Sequence, residues 1–380
     1  MFNKISLLLA RILDRILSMT SVVKIRNKRA SKNALVSYVK TPPYFFPFYF
    51  KSIHNNRYQS FVLIKYLESL GYNVYLHDYT DEAAVDYSIQ YDLFIGHNIT
   101  FHEIAGKLRG TVKNILLASG SSPEFGNEQQ RKRIQELNER KNSRLMVYDE
   151  NIVPDLSKNY KTADIILLFG NEFVRRTYPA VFREKSRLIN NLTLHPFFTP
   201  RKRARNNNFL FISSVGQVHR GLDLLLDIFV SLKNKLYVLS AFEKEKEFVE
   251  LYRDELYNVP TIRSMGHVDL NSGFFKQIVE DVDFVILPSC SEGQSSSMVN
   301  MMAYGLIPVI PENVGIPDSG KVGIVIRTID LPGVQAAIQE AIQLSDESFL
   351  EKRAQLESVH NQYTDVGFRS RLTEILRDQI

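Results

Sequence analysis

The sequence is poor in cysteine and lacks the common nucleotide-binding signatures. Its 380 residues contain one cysteine, Cys290, which excludes an intrachain disulfide framework and a structural zinc site made of thiolates. No histidine is near Cys290 in the sequence, so we expect a buried residue rather than a nucleophile. No GxGxxG pattern follows the first predicted strand, and GxxxxGK[ST] is absent, which argues against a standard dinucleotide enzyme and a P-loop protein. The eight histidines show no metal-ligand spacing, so we predict neither a metal site nor a cofactor.

The positive charge is concentrated at the N-terminus. The formal net charge is +5, and residues 1–40 contain nine Lys or Arg side chains but a single acid, Asp14. The rest of the chain is therefore net acidic. This distribution disfavours nucleic-acid binding, the function that a pI near 9.0 first suggests.

The opening stretch, MFNKISLLLARILDRILSM, predicts an amphipathic helix. Charged residues interrupt the apolar run, so it is neither a signal peptide nor a membrane span of about 20 apolar residues. At helical spacing one face is apolar and comprises Ile5, Leu8, Leu9, Ile12, Leu13, Ile16 and Leu17. With the basic stretch that follows, residues 1–32 are typical of a helix on an anionic membrane surface. The alternative is a helix packed on the protein's own core or on a partner.

Beyond residue 32, short apolar strands alternate with helices in two series, residues 33–200 and 206–356. Between them HPFFTPRKRARNNN (195–208) indicates a linker, because it combines prolines, a basic run and asparagines. Alternating strands and helices form parallel sheets. We therefore predict an α/β fold with two Rossmann-like domains facing across a cleft.

Two helices stand out from this alternation. The stretch FGNEQQRKRIQELNERK predicts a charged surface helix. A last helix within 360–380 lies beyond the second series, and its packing back on the first domain is left open.

Polar residues follow several predicted strands in both halves. His97 follows DLFIG, the stretch SGSS follows NILLA, and residues 289–297 follow DFVILP. In open α/β sheets, ligands bind beyond the carboxyl ends of the strands. The cleft between the domains is therefore the predicted site.

Two loops of the second half suit a phosphate. In SVGQVHRGLDLLL, a turn with Gly216 and Arg220 precedes a helix, whose free amides favour anions. The guanidinium of Arg220 can form a forked contact with a phosphate. In EGQSSSMVN a second helix begins near Ser296, where serine hydroxyls can satisfy first-turn amides. Two helix starts and one arginine favour a diphosphate.

These residues and their spacing make the second half resemble the retaining GT-B glycosyltransferases of glycosyltransferase family 4. The family block reads approximately D-hydrophobic-x-P-S-x-x-E-G, followed by E-A-M-A-x-G-x-P-V-I, and this chain has VDFVILPSCSEGQSSSMVNMMAYGLIPVI. The family's phosphate loop, approximately G-R-x-x-x-K-G, appears as GQVHRG. The resemblance covers roughly residues 205–330 and is looser in the first half, which looks like a polysaccharide-assembly branch. It implies the GT-B fold, retention of anomeric configuration and no obligatory metal.

The resemblance also implies roles for residues, position by position. Glu292 matches a glutamate that contacts the donor sugar, Arg220 matches a diphosphate-binding lysine, and His97 matches a histidine that contacts donor sugar and phosphate. Donor contacts are expected from the surrounding positions, namely Gly216, Gln217, Gly293, Gln294, Ser295, Ser296, Ser297 and Asn300. Acceptor-side candidates lie in HNNRYQS and are His54, Asn55 and Arg57.

Two positions depart from the family pattern. Gln217 stands where an arginine is usual, and Asn300 replaces a glutamate that grips the nucleotide ribose. The missing cation weakens stabilisation of a departing diphosphate, unless Arg57 or Arg263 compensates.

These observations predict a cytoplasmic glycosyltransferase, peripheral at the inner face of the membrane. It would move a sugar from a nucleoside diphosphate sugar to a glycan or lipid-linked acceptor, in bacterial surface polysaccharide biosynthesis. The alternative is a non-catalytic, sugar-nucleotide-binding GT-B partner protein, which Gln217 and Asn300 favour.

Overall fold

The computed structural model describes residues 2–27, 30–50, 55–97, 99–147, 152–195, 198–199, 205–377 and 379. Within these ranges the chain forms two α/β domains, each built on one sheet. None of the helices described is both long and apolar enough to cross a membrane.

The first domain contains a seven-stranded sheet. Its strands are β1 (Val22–Ile25), β2 (Lys32–Tyr38), β3 (Tyr72–Asp78), β4 (Leu93–His97), β5 (Lys113–Ala118), β6 (Ile165–Phe169) and β7 (Ser186–Ile189). Its helices are α1 (Phe2–Ser18), α2 (Pro47–Phe50), α3 (Asn55–Ser69), α4 (Phe101–Lys107), α5 (Pro123–Lys141), α6 (Ser157–Thr162), α7 (Glu172–Arg176) and α8 (Ala180–Arg183). The strand order is β1-β3-β2-β4-β5-β6-β7, and only the β1–β3 pairing is antiparallel among those described.

The sheet of the first domain is buried on both faces. Alternate residues of β2 enter different cores, because successive side chains of a strand point to opposite faces. Ala34 and Val36 pack in the core that contains α3, and Leu35 packs in the core that contains α4. Burial on both faces explains why these strands are continuous apolar runs in the sequence.

The second domain contains a six-stranded parallel sheet. Its strands are β8 (Phe209–Ile212), β9 (Leu236–Leu239), β10 (Ile262–Ser264), β11 (Phe284–Ile286), β12 (Ile307–Ile310) and β13 (Ile324–Val325). Its helices are α9 (Leu222–Phe229), α10 (Lys246–Leu251), α11 (Arg253–Tyr257), α12 (Gly273–Asp281), α13 (Ser296–Ala303), α14 (Ser319–Val322), α15 (Leu331–Gln343) and α16 (Asp346–Val359). The order β10-β9-β8-β11-β12-β13 reverses direction between β8 and β11, where loops diverge and leave room for a ligand.

The last helix, α17 (Asp365–Leu376), belongs to the first domain. It buries Phe368, Leu372 and Leu376 in the core formed by β2, β4 and α3. The sequence left open whether this helix packs on the first domain, and the structure shows that it does.

Helix α5 makes the opposite crossing. Ser122 caps its first turn by accepting a hydrogen bond from the Phe125 amide at 3.4 Å. The helix places Leu137 in the core of the second domain, and Arg133 donates to the buried Asp223 of α9 at 2.7 Å. The charged sequence predicted a solvent-exposed helix, but several of its cations pair with carboxylates of the other domain.

The N-terminal segment is part of the first domain rather than a separate extension. Strand β1 extends the sheet at β3, and α1 buries Ala10 and Leu17 in the same core. Asp14 of α1 forms an ion pair with Arg57 of α3. The other side of α1 exposes apolar side chains, namely Leu8, Leu9, Ile12 and Ile16. The single apolar stripe predicted from the sequence is thus divided between an inner, packed side and an outer side.

Candidate functional site

Arg220 and Glu292 meet at the point where the strand order of the second sheet reverses, between β8 and β11. Arg220 lies in the turn after β8, and Glu292 lies in the loop after β11. The Arg220 guanidinium donates to Glu292 Oε1, and the Ser289 hydroxyl donates to the same oxygen at 3.1 Å. The Arg220 and Glu292 side chains are 22% and 13% exposed, so the pair is shielded but still reaches solvent. The structure therefore brings two of the three predicted catalytic residues together.

His219 and Cys290 lie beside this ion pair. His219 Nε2 is 2.6 Å from the Ser291 carbonyl oxygen, and its Nδ1 is 3.6 Å from the Cys290 sulfur. Burial lowers the pKa of His219 to about 4 and raises the pKa of the Cys290 thiol to about 12. Both groups are therefore neutral at pH 7. Although a histidine contacts the cysteine, the pair has no thiolate character.

A loop of the first domain lies directly on Glu292 and Gly293. The Ser121 amide and hydroxyl both donate to the Glu292 carbonyl oxygen, at 3.1 and 2.9 Å. A Cβ atom at position 293 would lie 2.1 Å from the Ser119 carbonyl oxygen. Gly293 is therefore required by the close approach of the two backbones.

The start of α13 is held by the segment that follows β7. Ser295 caps the helix by accepting from the Met298 amide at 3.5 Å. Gln294 Nε2 donates to Asn190 Oδ1 at 2.8 Å, and Asn191 Nδ2 donates to the Ser296 hydroxyl at 2.9 Å. Three of the predicted donor-binding residues thus have partners within the protein. Ser297 is half-buried on the first turn.

Asn300 is buried in a polar contact between the domains. Its Oδ1 accepts from the Leu194 amide at 2.9 Å and from the Thr193 hydroxyl at 3.1 Å. Its Nδ2 donates to Oδ1 of Asn55, at the start of α3, at 3.0 Å. A predicted donor-side residue and a predicted acceptor-side residue are thus hydrogen-bonded to each other.

His97 lies at the carboxyl end of β4, as its position in the sequence predicts. Its Nδ1 is 2.8 Å from the Leu117 carbonyl oxygen, which assigns the proton to Nδ1 and leaves Nε2 as an acceptor. Its ring lies between those of Tyr38 and Tyr79, with centroid distances of 5.6 and 5.5 Å. Burial lowers the pKa of His97, so the ring is neutral at pH 7. No contact described for His97 joins it to Arg220 or Glu292.

Neither of the two cations suggested as substitutes, Arg57 and Arg263, has a described contact with Gln217. Arg57 is paired with Asp14 and also donates to the Tyr49 hydroxyl. Arg263 is exposed within β10, an edge strand. His54 lies outside the residues that the structure describes.

Glu245, which the sequence did not single out, is bound to the turn that contains Gly216 and Gln217. Its Oε1 accepts from the Gly216 amide at 2.5 Å, and its Oε2 accepts from the Gln217 amide at 3.1 Å. The buried Gln217 side chain donates to Glu245 at 3.1 Å and accepts from the Ser240 hydroxyl at 3.0 Å. Glu245 was missed because the run EKEKE is typical of a solvated helix start.

A cavity of about 850 Å³ also lies between the domains. Residues of the loops after β6 and β12 line it together with α17, and they include Asn171, Arg176, Asp318 and Arg371. Neither Arg220 nor Glu292 lines this cavity.

Comparison with known proteins identifies the fold. Residues 206–344 match the family model described as glycosyl transferases group 1. Among solved structures, trehalose-6-phosphate synthase, described in relation to glycosyltransfer with retention, is 11% identical, with a TM-score of 0.59 over 92% of this chain and 100% of that chain. Sucrose-phosphate synthase from Thermosynechococcus elongatus is 12% identical, with a TM-score of 0.59 over 91% and 98%. The chain has the GT-B fold.

The catalytic domain of Arabidopsis thaliana starch synthase IV, bound to ADP and acarbose, is a third structure with a similar fold. It is 13% identical, with a TM-score of 0.53 over 85% of this chain and 77% of that chain. No curated protein matched the sequence. The fold prediction is confirmed, and Arg220 and Glu292 both lie in the part of the GT-B chain that matches the family model.

Proposed function

We propose that this protein is a glycosyltransferase that moves a sugar from a nucleoside diphosphate sugar to a glycan or lipid-linked acceptor. The observation that carries the proposal is the Arg220–Glu292 pair, which lies at the switch point of the family-matched domain. A permanently charged guanidinium there suits a departing diphosphate, and a partly exposed carboxylate suits the hydroxyls of a donor sugar.

The proposed reaction retains anomeric configuration and needs no obligatory metal or other cofactor. Donor binding would transfer the Arg220 contact from Glu292 to the diphosphate, which frees the carboxylate to face the sugar. The bond between the anomeric carbon and the diphosphate oxygen breaks, the acceptor oxygen bonds to that carbon, and the acceptor proton passes to the leaving phosphate. His97, neutral with a free Nε2 acceptor, would orient the donor from the first domain.

A panel of nucleotide sugars tests this proposal. A bound donor raises the melting temperature by mass action, so thermal shift selects the base and sugar. The selected donor is then incubated, with and without EDTA, with glycan and lipid-linked acceptors. We expect transfer that EDTA does not abolish and that Arg220→Ala lowers at least about 100-fold, since leaving-group stabilisation is among the larger catalytic contributions. Absence of donor binding across the panel would contradict the proposal.

A second candidate function is a non-catalytic GT-B partner that binds a sugar nucleotide. The hydrogen bonds of Gln217 and Asn300 favour it, because the protein itself supplies the partners of both side chains. Donor binding without hydrolysis or transfer, at every acceptor tested, would select this candidate.

We further propose that the outer side of α1 places the protein on the inner face of the membrane, as bacterial surface polysaccharide assembly on a lipid carrier requires. Four exposed apolar side chains occupy this side, namely Leu8, Leu9, Ile12 and Ile16. At helical spacing Arg11 and Arg15 flank them, and each basic residue near an anionic leaflet contributes about 1 kcal/mol. Apolar area and flanking positive charge together favour an anionic membrane surface.

Vesicle binding tests the membrane proposal without disturbing the fold. Ile12→Ser with Ile16→Ser removes outer apolar area while leaving the packed side of α1 intact. Leu350→Ser, at an exposed apolar residue of α16, is the matched control. We expect the double variant alone to lose sedimentation with phosphatidylglycerol vesicles, at an unchanged melting temperature. Equal sedimentation of all three proteins would show that α1 does not contact the membrane.

A further inference from the structure

The turn that the sequence assigns to a diphosphate already holds an anion. Gly216 and Gln217 direct two consecutive amides at the Glu245 carboxylate, at 2.5 and 3.1 Å, and Gln217 Nε2 adds a third donor at 3.1 Å. Gly216 adopts φ 82°, in the left-handed region that lets successive amides converge on one ligand. The turn therefore has the geometry of an anion site, and the occupant is part of the chain.

The same turn is connected to Arg220. The Arg220 amide donates to the Gly216 carbonyl oxygen at 3.0 Å, and its Nε donates to the Val215 carbonyl oxygen at 3.2 Å. An anion held by the Gly216 and Gln217 amides would thus lie on the loop that also carries the guanidinium.

The charges in this cluster do not favour a diphosphate while Glu245 is in place. Glu292 neutralises Arg220, Gln217 is an uncharged amide, and His219 is neutral at pH 7. The Glu245 carboxylate then leaves the cluster net negative. Like charges brought together at a binding site reduce affinity.

We propose that Glu245 is an internal competitor for the donor, and that a diphosphate binds this turn only when the Glu245 carboxylate leaves it. This inference rests on the proposed function and adds a residue that tunes donor affinity. Burial raises the pKa of the Glu245 carboxyl, which reflects a desolvation cost that opposes its place on the turn. Glu245 lies just before α10, and the neighbouring Glu243 and Lys244 side chains are exposed, so the carboxylate has solvent nearby into which it can rotate.

If Glu245 had a purely structural role, its removal would change anion affinity in the opposite direction. If the carboxylate were needed to shape the turn, its removal would leave the Gly216 and Gln217 amides disordered and would weaken anion binding. If it competes, its removal leaves the same amides available to a phosphate and strengthens binding.

Calorimetric titration of the full-length chain separates the two roles. The variants are Glu245→Ala, Glu245→Gln and the matched control Glu243→Gln, which removes an exposed charge two residues away. The probes are inorganic pyrophosphate and, separately, UDP, GDP and ADP. We expect Glu245→Ala to lower the Kd of pyrophosphate by about tenfold or more, because a competing charge is removed. Glu245→Gln should give a smaller decrease, since its amide oxygen still accepts from the turn, and Glu243→Gln should give none.

Circular dichroism melting confirms that each variant is folded before titration. An unchanged or higher pyrophosphate Kd in folded Glu245→Ala overturns the competitor role. If Glu245→Ala does not fold, the same comparison is made on Glu245→Gln, for which an unchanged or higher Kd is again decisive. If Glu245→Ala binds pyrophosphate more tightly but the protein transfers no sugar, the competitor role stands and the proposed glycosyltransferase activity is rejected. If the protein transfers sugar but Glu245→Ala does not bind pyrophosphate more tightly, the proposed activity stands and the competitor role is rejected.

Discussion

At the residue scale, Glu292 carries the carboxylate on which Arg220 and Ser289 converge. We expect Glu292→Gln to lower the rate of sugar transfer at least about 100-fold, because a neutral amide cannot stabilise developing positive charge on the donor sugar. The free energy of unfolding should change little, since the amide oxygen still accepts from Ser289. Transfer assays and urea titrations measure the two effects. Glu312→Gln, at an exposed residue after β12, is the control, and transfer by Glu292→Gln at the control rate would remove Glu292 from the mechanism.

Asn300 gives a prediction about stability. Asn300→Ala would leave the Leu194 amide and the Oδ1 atom of Asn55 without their described partner, and a buried unsatisfied polar group costs about 1–3 kcal/mol. Urea denaturation should show this loss, and the exposed Asn258→Ala should show none. If Asn300 instead grips the ribose, the variant will raise the donor KM at unchanged stability.

Single residues were predictable from the sequence where spacing fixes their place. Glu292 and Arg220 each follow an apolar strand at a short distance, and the carboxyl ends of neighbouring parallel strands must meet. The direction of the Gln217 side chain was not predictable, because it depends on Glu245 and Ser240, which the fold brings near from other loops.

At the scale of elements, α5 depends on a buried charge network. Asp223 accepts from Arg133 at 2.7 Å and from Arg140 at 2.6 Å, and its side chain is fully buried. Asp223→Ala leaves the buried Arg133 cation without its main partner, so we expect a loss of about 3–5 kcal/mol. The double change Arg133→Met with Asp223→Leu should lose less, because it removes the buried Arg133 cation together with its partner, and Arg140 keeps its ion pair with Asp227.

Thermal and urea denaturation of the two variants measure this difference. Asp346→Ala, an exposed acid at the start of α16, is the control. An Asp223→Ala protein as stable as the control would show that the pairs of α5 do not hold the domains together.

The strands and most helices of both domains were predictable, because a parallel sheet buried on both faces demands continuous apolar runs. The position of α5 was not, since its composition predicts a charged surface and does not identify the surface that pairs with it. The apolar residues of α1 were recognised, but hydrophobic spacing alone does not separate a side that meets the core from one that meets solvent.

At the scale of the whole molecule, each half of the chain completes the other. The first half supplies α5 to the second domain, and the second half supplies α17 to the first. We expect fragments 1–204 and 205–380, each produced alone, to lack a cooperative unfolding transition. Produced together they should associate and recover it, as followed by circular dichroism and size-exclusion chromatography. Two fragments that are separately monomeric and cooperatively folded would contradict this expectation.

The exchanged helices also determine how the cleft can open. The chain passes between the domains at both ends of α5, again after β7 and again before α17. A single connecting segment would let the two domains rotate freely about one point, whereas several connecting segments restrict their relative motion to few directions. We therefore expect access to Arg220 and Glu292 to require only a small rotation, in which α5 moves with the second domain and α17 moves with the first. The hinges of such a rotation are expected in the segments just before α5 and just before α17, around Ser121 and Thr364.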